Sequence, residues 1–203
     1  MSLALAIFIA LTASASEAPR PAGPPGAKAR FAQSYMELVD SADAFELAAA
    51  VEARDTLLAH HGNSVERVGL SGRLAAFMAL GEPFSTRRMD WWQGRMPEKG
   101  KRYVVVWWHP EQADSRRVVL GAQDIAQRHS VPVLAVIPNG TETDRAAAAG
   151  LIAICPAVTF AAASPRILQA VNLDLLPQVS VVESDVVLWH GDWEDLARTP
   201  MHP

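Results

Sequence analysis

The chain has 203 residues, 50% of them hydrophobic, which is enough to bury one sizeable core with room for a small appendage. A formal net charge of −4 gives no reason to expect nucleic acid as a partner, because phosphate binding needs clustered cations. Cys155 is the sole cysteine, so neither an intramolecular disulfide nor a dithiol can form.

The N-terminus carries an apolar run from Leu3 to Leu11, followed by Ala13, Ser14 and Ala15 in the small-residue spacing that signal peptidase accepts. The run is short for a membrane span, so residues 1–15 read as a secretory signal and the location as periplasmic or otherwise extracytoplasmic. No Lys or Arg precedes the run, which leaves an uncleaved tether or a misassigned start codon as the other readings. Residues 16–27, with their Pro and Gly between Ala18 and Gly26, form a linker in which neither helix nor strand is expected.

A helical extension is expected over residues 28–89. Ser41 can cap a helix from Ala42 to His60, with Leu47, Val51 and Leu58 at helical spacing and Gly62 ending it. Ser64 can cap a further helix carrying Leu74, Phe77 and Met78, closed by Gly81, Glu82 and Pro83. The apolar stripe of this region reads as a docking face. The cations Arg87, Arg88, Arg95, Lys99, Lys101 and Arg102 surround a turn-rich segment and read as a solvated face.

From Asp90 to the end, strand and helix patterns alternate. Tyr103 to Trp108 is a near-continuous apolar run, as in a strand covered on both faces. Asp114 can cap a helix from Ser115 to Arg128, with Val118, Ala122 and Ile125 on one side. Val131 to Ile137 is the next strand, completing a βαβ unit. Glu142 to Ile154 reads as helix, Val158 to Ala162 as a short strand, and Ser164 with Pro165 as the start of a helix to Val171. Gln178 to Val182 and Val186 to Trp189 flank a hairpin turn at Glu183, Ser184 and Asp185.

A βαβ unit followed by a helix and a hairpin resembles the thioredoxin plan. The stretch from Arg102 to Arg116 is similar to that family's active-site segment, Phe-Trp-Ala-x-Trp-Cys-x-x-Cys-Arg. Trp107 and Trp108 take its aromatic positions and Arg116 its basic one, while Gln112 and Ser115 stand where the two cysteines would be. Asp90-Trp91-Trp92-Gln93-Gly94 with the strand after Gly100, and the segment from Leu176 to Glu183, resemble the TlpA-like branch of thiol-disulfide oxidoreductases. The resemblance covers residues 90–203 as a thioredoxin-like domain, an α/β fold with a central mixed sheet flanked by helices, here with a helical N-terminal extension. It implies that Pro177 is a cis-proline placed opposite Gln112, exposing the backbone before it to an extended partner chain.

The chemistry departs from the family. Thiol–disulfide exchange needs an activated thiolate and a resolving thiol, which Gln112 and Ser115 cannot supply. Cys155, between apolar residues and Pro156, reads as a small buried hydrophobe, and only a monothiol mechanism would use it. His109 with Glu111 and Asp114, and His190 on the return strand, lie at one end of the sheet. The two histidines are about 10 Å apart across two strand spacings, too far to share a metal. His60 and His61 diverge on a helix, so no metal and no cofactor are expected. The function expected is binding of an extended peptide or an envelope protein partner, through Trp108, His109, Glu111, Gln112, Asp114, Ser115, Leu176, Pro177 and an open strand edge. No membrane span is expected in the mature chain. The alternatives are an oxidoreductase using Cys155 or a partner's thiol, and a structural subunit of an envelope complex using the helical extension.

Overall fold

Two helices open the described part of the chain, α1 (Ala27–Asp43) and α2 (Leu47–Arg67). The structure, a computed structural model, describes residues 26–67, 76–164 and 176–196, with backbone alone over 62–67. The expected signal, most of the linker and the helix from Pro165 lie outside the described residues, whereas Ser64 caps no new helix because it falls inside α2.

Ser41 does not start a helix; it sits in the last turn of α1. The break falls at Ala44 to Glu46, where Phe45 takes φ 57°. The Glu46 N–H donates to the Ser41 carbonyl (2.9 Å) and the Phe45 N–H to the Ala42 carbonyl (3.0 Å). That is a Schellman pairing with phenylalanine where glycine is usual, so the sequence gives no signal for it. Gly62 does not end α2 either, because one glycine costs a helix interior only about 1 kcal/mol. A final helical turn at 76–78 is tied to α2 by Arg54, whose Nη1 donates to the Leu80 carbonyl (2.9 Å).

Six strands follow: β1 (Met89–Gln93), β2 (Tyr103–Trp107), β3 (Val133–Pro138), β4 (Val158–Ala163), β5 (Gln178–Glu183) and β6 (Val186–Gly191). They form one mixed sheet in the order β1-β4-β3-β2-β5-β6. β2, β3 and β4 run parallel, while β1, β5 and β6 each pair antiparallel with their neighbours. Helix α3 (Ala113–His129) joins β2 to β3, α4 (Glu142–Ile154) joins β3 to β4, and a short α5 (Trp193–Leu196) ends the described chain. β2 is buried at every residue, as its continuous apolar run requires.

Two apolar layers enclose the sheet. On one face Val104, Val106 and Phe160 pack with α3, α4 and the buried Leu38 and Leu57 of α1 and α2. The N-terminal helices therefore share the sheet's own core. The Trp189 indole N–H adds a bond to Asp43 Oδ1 (3.0 Å), fixing the end of α1 to β6. The opposite face carries Phe84, Tyr103, Trp107 and Leu134. Gly94 ends β1 at φ 83°, with Thr159 Oγ1 only 2.5 Å from where a Cβ would sit, so a side chain there would collide with β4.

Residues 81–84 run along the outer edge of β6. The Gly81 N–H donates to the Val187 carbonyl (2.9 Å) and the Phe84 N–H to the Asp185 carbonyl (2.8 Å). The expected open edge is therefore covered along the first half of β6. A strap laid over an edge strand blocks strand addition there.

The β5–β6 turn places Ser184 and Asp185 both at positive φ, 53° and 64°, as a two-residue type I′ hairpin needs. A bulge at Val181 and Val182 then shifts the register by one residue, so that His190 faces Ser180.

Candidate functional site

β2 ends at Trp107, and the chain passes through Trp108, His109, Pro110 and Glu111 into α3. Pro177 immediately precedes Gln178, which pairs with Trp107, so it lies at this same end of the sheet. The Leu176–Pro177 peptide bond is cis. The segment from His109 to Ser115 and the start of β5 thus lie at the same end of the sheet.

Trp108 is the exception among the expected contact residues. Its N–H still donates to the Val136 carbonyl (3.1 Å), and its ring is fully buried, edge-on to Phe160 at 5.9 Å. It supports the site from below and offers no apolar surface. A continuous apolar run does not reveal where burial ends, which is why the sequence misassigns it.

His109 is held from both sides. Its Nδ1 accepts from the Glu111 N–H (3.4 Å), which leaves the proton on Nε2, 3.5 Å from Asp144 Oδ1. Asp144 belongs to the capping box of α4, where Thr141 donates to it through Oγ1 (2.7 Å) and N–H (2.8 Å). Those bonds, the Thr141 side chain first, hold the Asp144 carboxyl below its ordinary value, with His109 adding a smaller pull. Thr141 and Asp144 were not among the expected site residues. A threonine followed three positions later by an acid was the available signal.

Gln112, not Asp114, is the N-cap residue of α3, with extended φ and ψ of −91° and 120°. Its side chain makes no cap bond. Instead Gln112 Oε1 accepts the Ser115 hydroxyl at 2.9 Å. The two positions that resemble a redox pair are therefore joined to each other by a hydrogen bond. Ser115 is buried, while Glu111, Gln112 and Asp114 are exposed. Asp114 sits in the first turn of α3, where a negative charge suits the helix dipole, and lies 3.4 Å from Arg117. Leu176 and Pro177 are half-buried at the same end of the sheet, with Leu176 packed into the layer of Trp107 and Leu134 on the face opposite α3.

Cys155 lies elsewhere. It follows α4 and precedes β4, at the end of the parallel strands opposite Gln112, and it is fully buried. Burial pushes its thiol up, which disfavours the thiolate. It cannot reach the Gln112 end without dismantling the sheet.

His190 is also buried; it pairs with Ser180, which pairs with Val105, so it lies level with the middle of β2 and not at the end that His109 occupies. Its Nδ1 is 2.7 Å from Ser180 Oγ, which accepts the Trp107 indole N–H at 2.9 Å. Loss of solvent drives the imidazole down to about 4, so it is neutral at neutral pH. Among the described residues no three histidines, cysteines or acids gather where they could hold a metal ion.

No protein-family model matches the sequence, and no curated protein matches it either. Solved structures similar to it include a thio-disulfide isomerase from Thermus thermophilus, at 18% identity over 55% of this chain and 84% of that one, with a TM-score of 0.44. StoA from Bacillus subtilis matches at 14% identity over 49% of this chain and 82% of its own, TM-score 0.40. A putative thiol:disulfide interchange protein DsbE from Chlorobium tepidum matches at 15% over 55% and 85%, TM-score 0.37. The parallel β2–α3–β3 unit, the antiparallel β5–β6 hairpin placed beside β2, and the helices around the sheet make this a thioredoxin-like fold with a helical N-terminal region.

Proposed function

We propose that this is an extracytoplasmic thioredoxin-like protein of TlpA-like type that binds an extended peptide or partner protein without redox chemistry. The observation that carries the reading is the Ser115–Gln112 hydrogen bond, which joins the two positions that resemble a redox pair through groups that cannot exchange disulfides. The partner would meet exposed Glu111, Gln112 and Asp114, with half-buried His109, Leu176 and Pro177 at the same end of the sheet. Main-chain groups near Pro177 would supply hydrogen bonds and the two acids would supply charge selectivity. A monothiol enzyme would need Cys155 at the surface, which its burial opposes. Fold alone assigns no activity, so the test is chemical.

That test is reduction and isomerisation of a disulfide substrate by the wild type, by Cys155→Ser, and by the double variant Gln112→Cys with Ser115→Cys. The wild type is expected to be silent and the double variant active, because the frame then presents two thiols at a helix N-terminus. Wild-type activity that disappears in Cys155→Ser would overturn the binding reading in favour of a monothiol enzyme.

A further inference from the structure

At the end of the sheet opposite Gln112, a cleft of about 320 Å³ opens between residues 83–87, the turn at 96–100 and the tip of the β5–β6 hairpin. Met96 provides exposed apolar wall, with an edge of the largely buried Phe84 behind it, and Arg87 and Lys99 provide cations. Neither cation has a side-chain partner among the described residues. Two carboxylates, Glu98 and Asp185, also line the cleft, so it is not uniformly basic. The independent observation is Tyr103. This residue lines the cleft, is only 3% exposed, and its hydroxyl has no hydrogen-bond partner among the described residues. Buried hydroxyls are nearly always satisfied, and one left orphaned beneath a cleft is a donor awaiting an acceptor.

We propose that this cleft binds a small organic carboxylate: a neutral oxygen of the ligand accepts from the Tyr103 hydroxyl, its carboxylate lies between Arg87 and Lys99, and its hydrocarbon body rests on Phe84 and Met96. Burial, and then the nearby Asp185, push the Tyr103 phenol upward, so it stays a donor. Asp185 also repels a charged group from the floor, which directs the ligand's carboxylate to the cationic rim. The hydroxyl is sealed by the cleft walls, so entry requires a side chain to move. Met96 is suited to that, being unbranched, 56% exposed, and held through its sulfur by one bond from Thr86 Oγ1 (3.0 Å).

The probe is hippurate, which combines an aromatic body, an amide oxygen and a carboxylate, titrated into the isotope-labelled full chain. Saturable amide shifts are expected at Lys99, Gly100 and Ser184, with none at Gln112 or Ser115. Tyr103→Phe should weaken binding by about 3- to 10-fold, the worth of one hydrogen bond. Arg87→Gln with Lys99→Gln should weaken it by about tenfold, and the uncharged methyl ester of hippurate should bind as poorly to the wild type. The proposal fails if no saturable shift appears up to about 10 mM. It fails equally if the ester matches hippurate, or if Tyr103→Phe binds unchanged. Thermal melting controls for folding: Tyr103→Phe should melt no lower than wild type, and a markedly lower melting point would mean that the hydroxyl has an internal partner, which also overturns the proposal.

Discussion

The two ends of the central sheet divide what a thiol enzyme must keep together. At the end where β2 feeds α3, which is also the end of Pro177, the chain presents exposed Glu111, Gln112 and Asp114 without a sulfur. At the other end lies the only thiol, Cys155, which is sealed under α4 and β4. Reactivity requires access and a thiolate in one place, and here access and sulfur are separated by the length of the strands. The contrast is one of burial, because the backbone frame is present at the first end and a chemically competent atom at the second.

The largest expected effect tests the closed end. Marginal stability leaves a protein unfolded for a fraction of about 10⁻³ to 10⁻⁶ of the time, so Cys155 should react with an aromatic disulfide reagent at least about a thousandfold more slowly in the native protein than in denaturant. Stopped-flow absorbance in the two conditions measures the ratio. Native labelling within tenfold of the denatured rate would break the comparison and return Cys155 to candidacy as a reacting group.

A second effect tests the interior between the two ends, where His190 lies level with the middle of β2. His190 sits at about 4 inside the fold against 6.5 when solvated. Between those values the unfolded chain takes up a proton that the folded chain refuses, so stability falls as pH drops from 6.5 toward 4 and is unaffected above 6.5. The full loss is about 3 kcal/mol. Urea unfolding at pH 7, 5.5 and 4 should show it, and His190→Gln should flatten the curve in that window. Asp144, held below its ordinary 3.8, also removes stability as pH falls, but only in the more acidic range. A His190→Gln variant with the wild-type slope would show that the imidazole is not desolvated.

Much of this arrangement was legible in the sequence. The apolar run of β2, the Glu142–Ile154 helix and the hairpin after Gln178 each follow from local pattern, and their order leads to a thioredoxin-like sheet. Features set by long-range contact were not legible. Phe45 closes α1 in a left-handed conformation that its side chain does not advertise. Counting back from the Ser184–Asp185 turn pairs His190 with Val179, and only the bulge moves it opposite Ser180. Trp108 reads as a contact residue until β3 and Phe160 are seen to enclose it. The tie from Asp144 to His109 joins elements that the chain separates by a helix and a strand, α3 and β3.

The smallest expected effect bears on whether the open end is a surface or part of the frame. Asp114 is 75% exposed in its side chain, favours the first turn of α3 by its charge, and meets Arg117 at a distance where an exposed ion pair is worth little. Asp114→Asn removes the charge and keeps the shape. The stability lost should be well under about 1 kcal/mol, and smaller still at high salt, because both the dipole and the pair are screened. Denaturant unfolding at low and high ionic strength measures it. A loss above about 2 kcal/mol would mean that the carboxylate is structural, since exposed charges do not carry that much. The open end would then be a braced part of the fold, and the contrast with the Cys155 end would lose its basis. A near-silent Asp114→Asn leaves this position free to serve recognition, where its charge would govern the salt dependence of partner binding and not the survival of the fold.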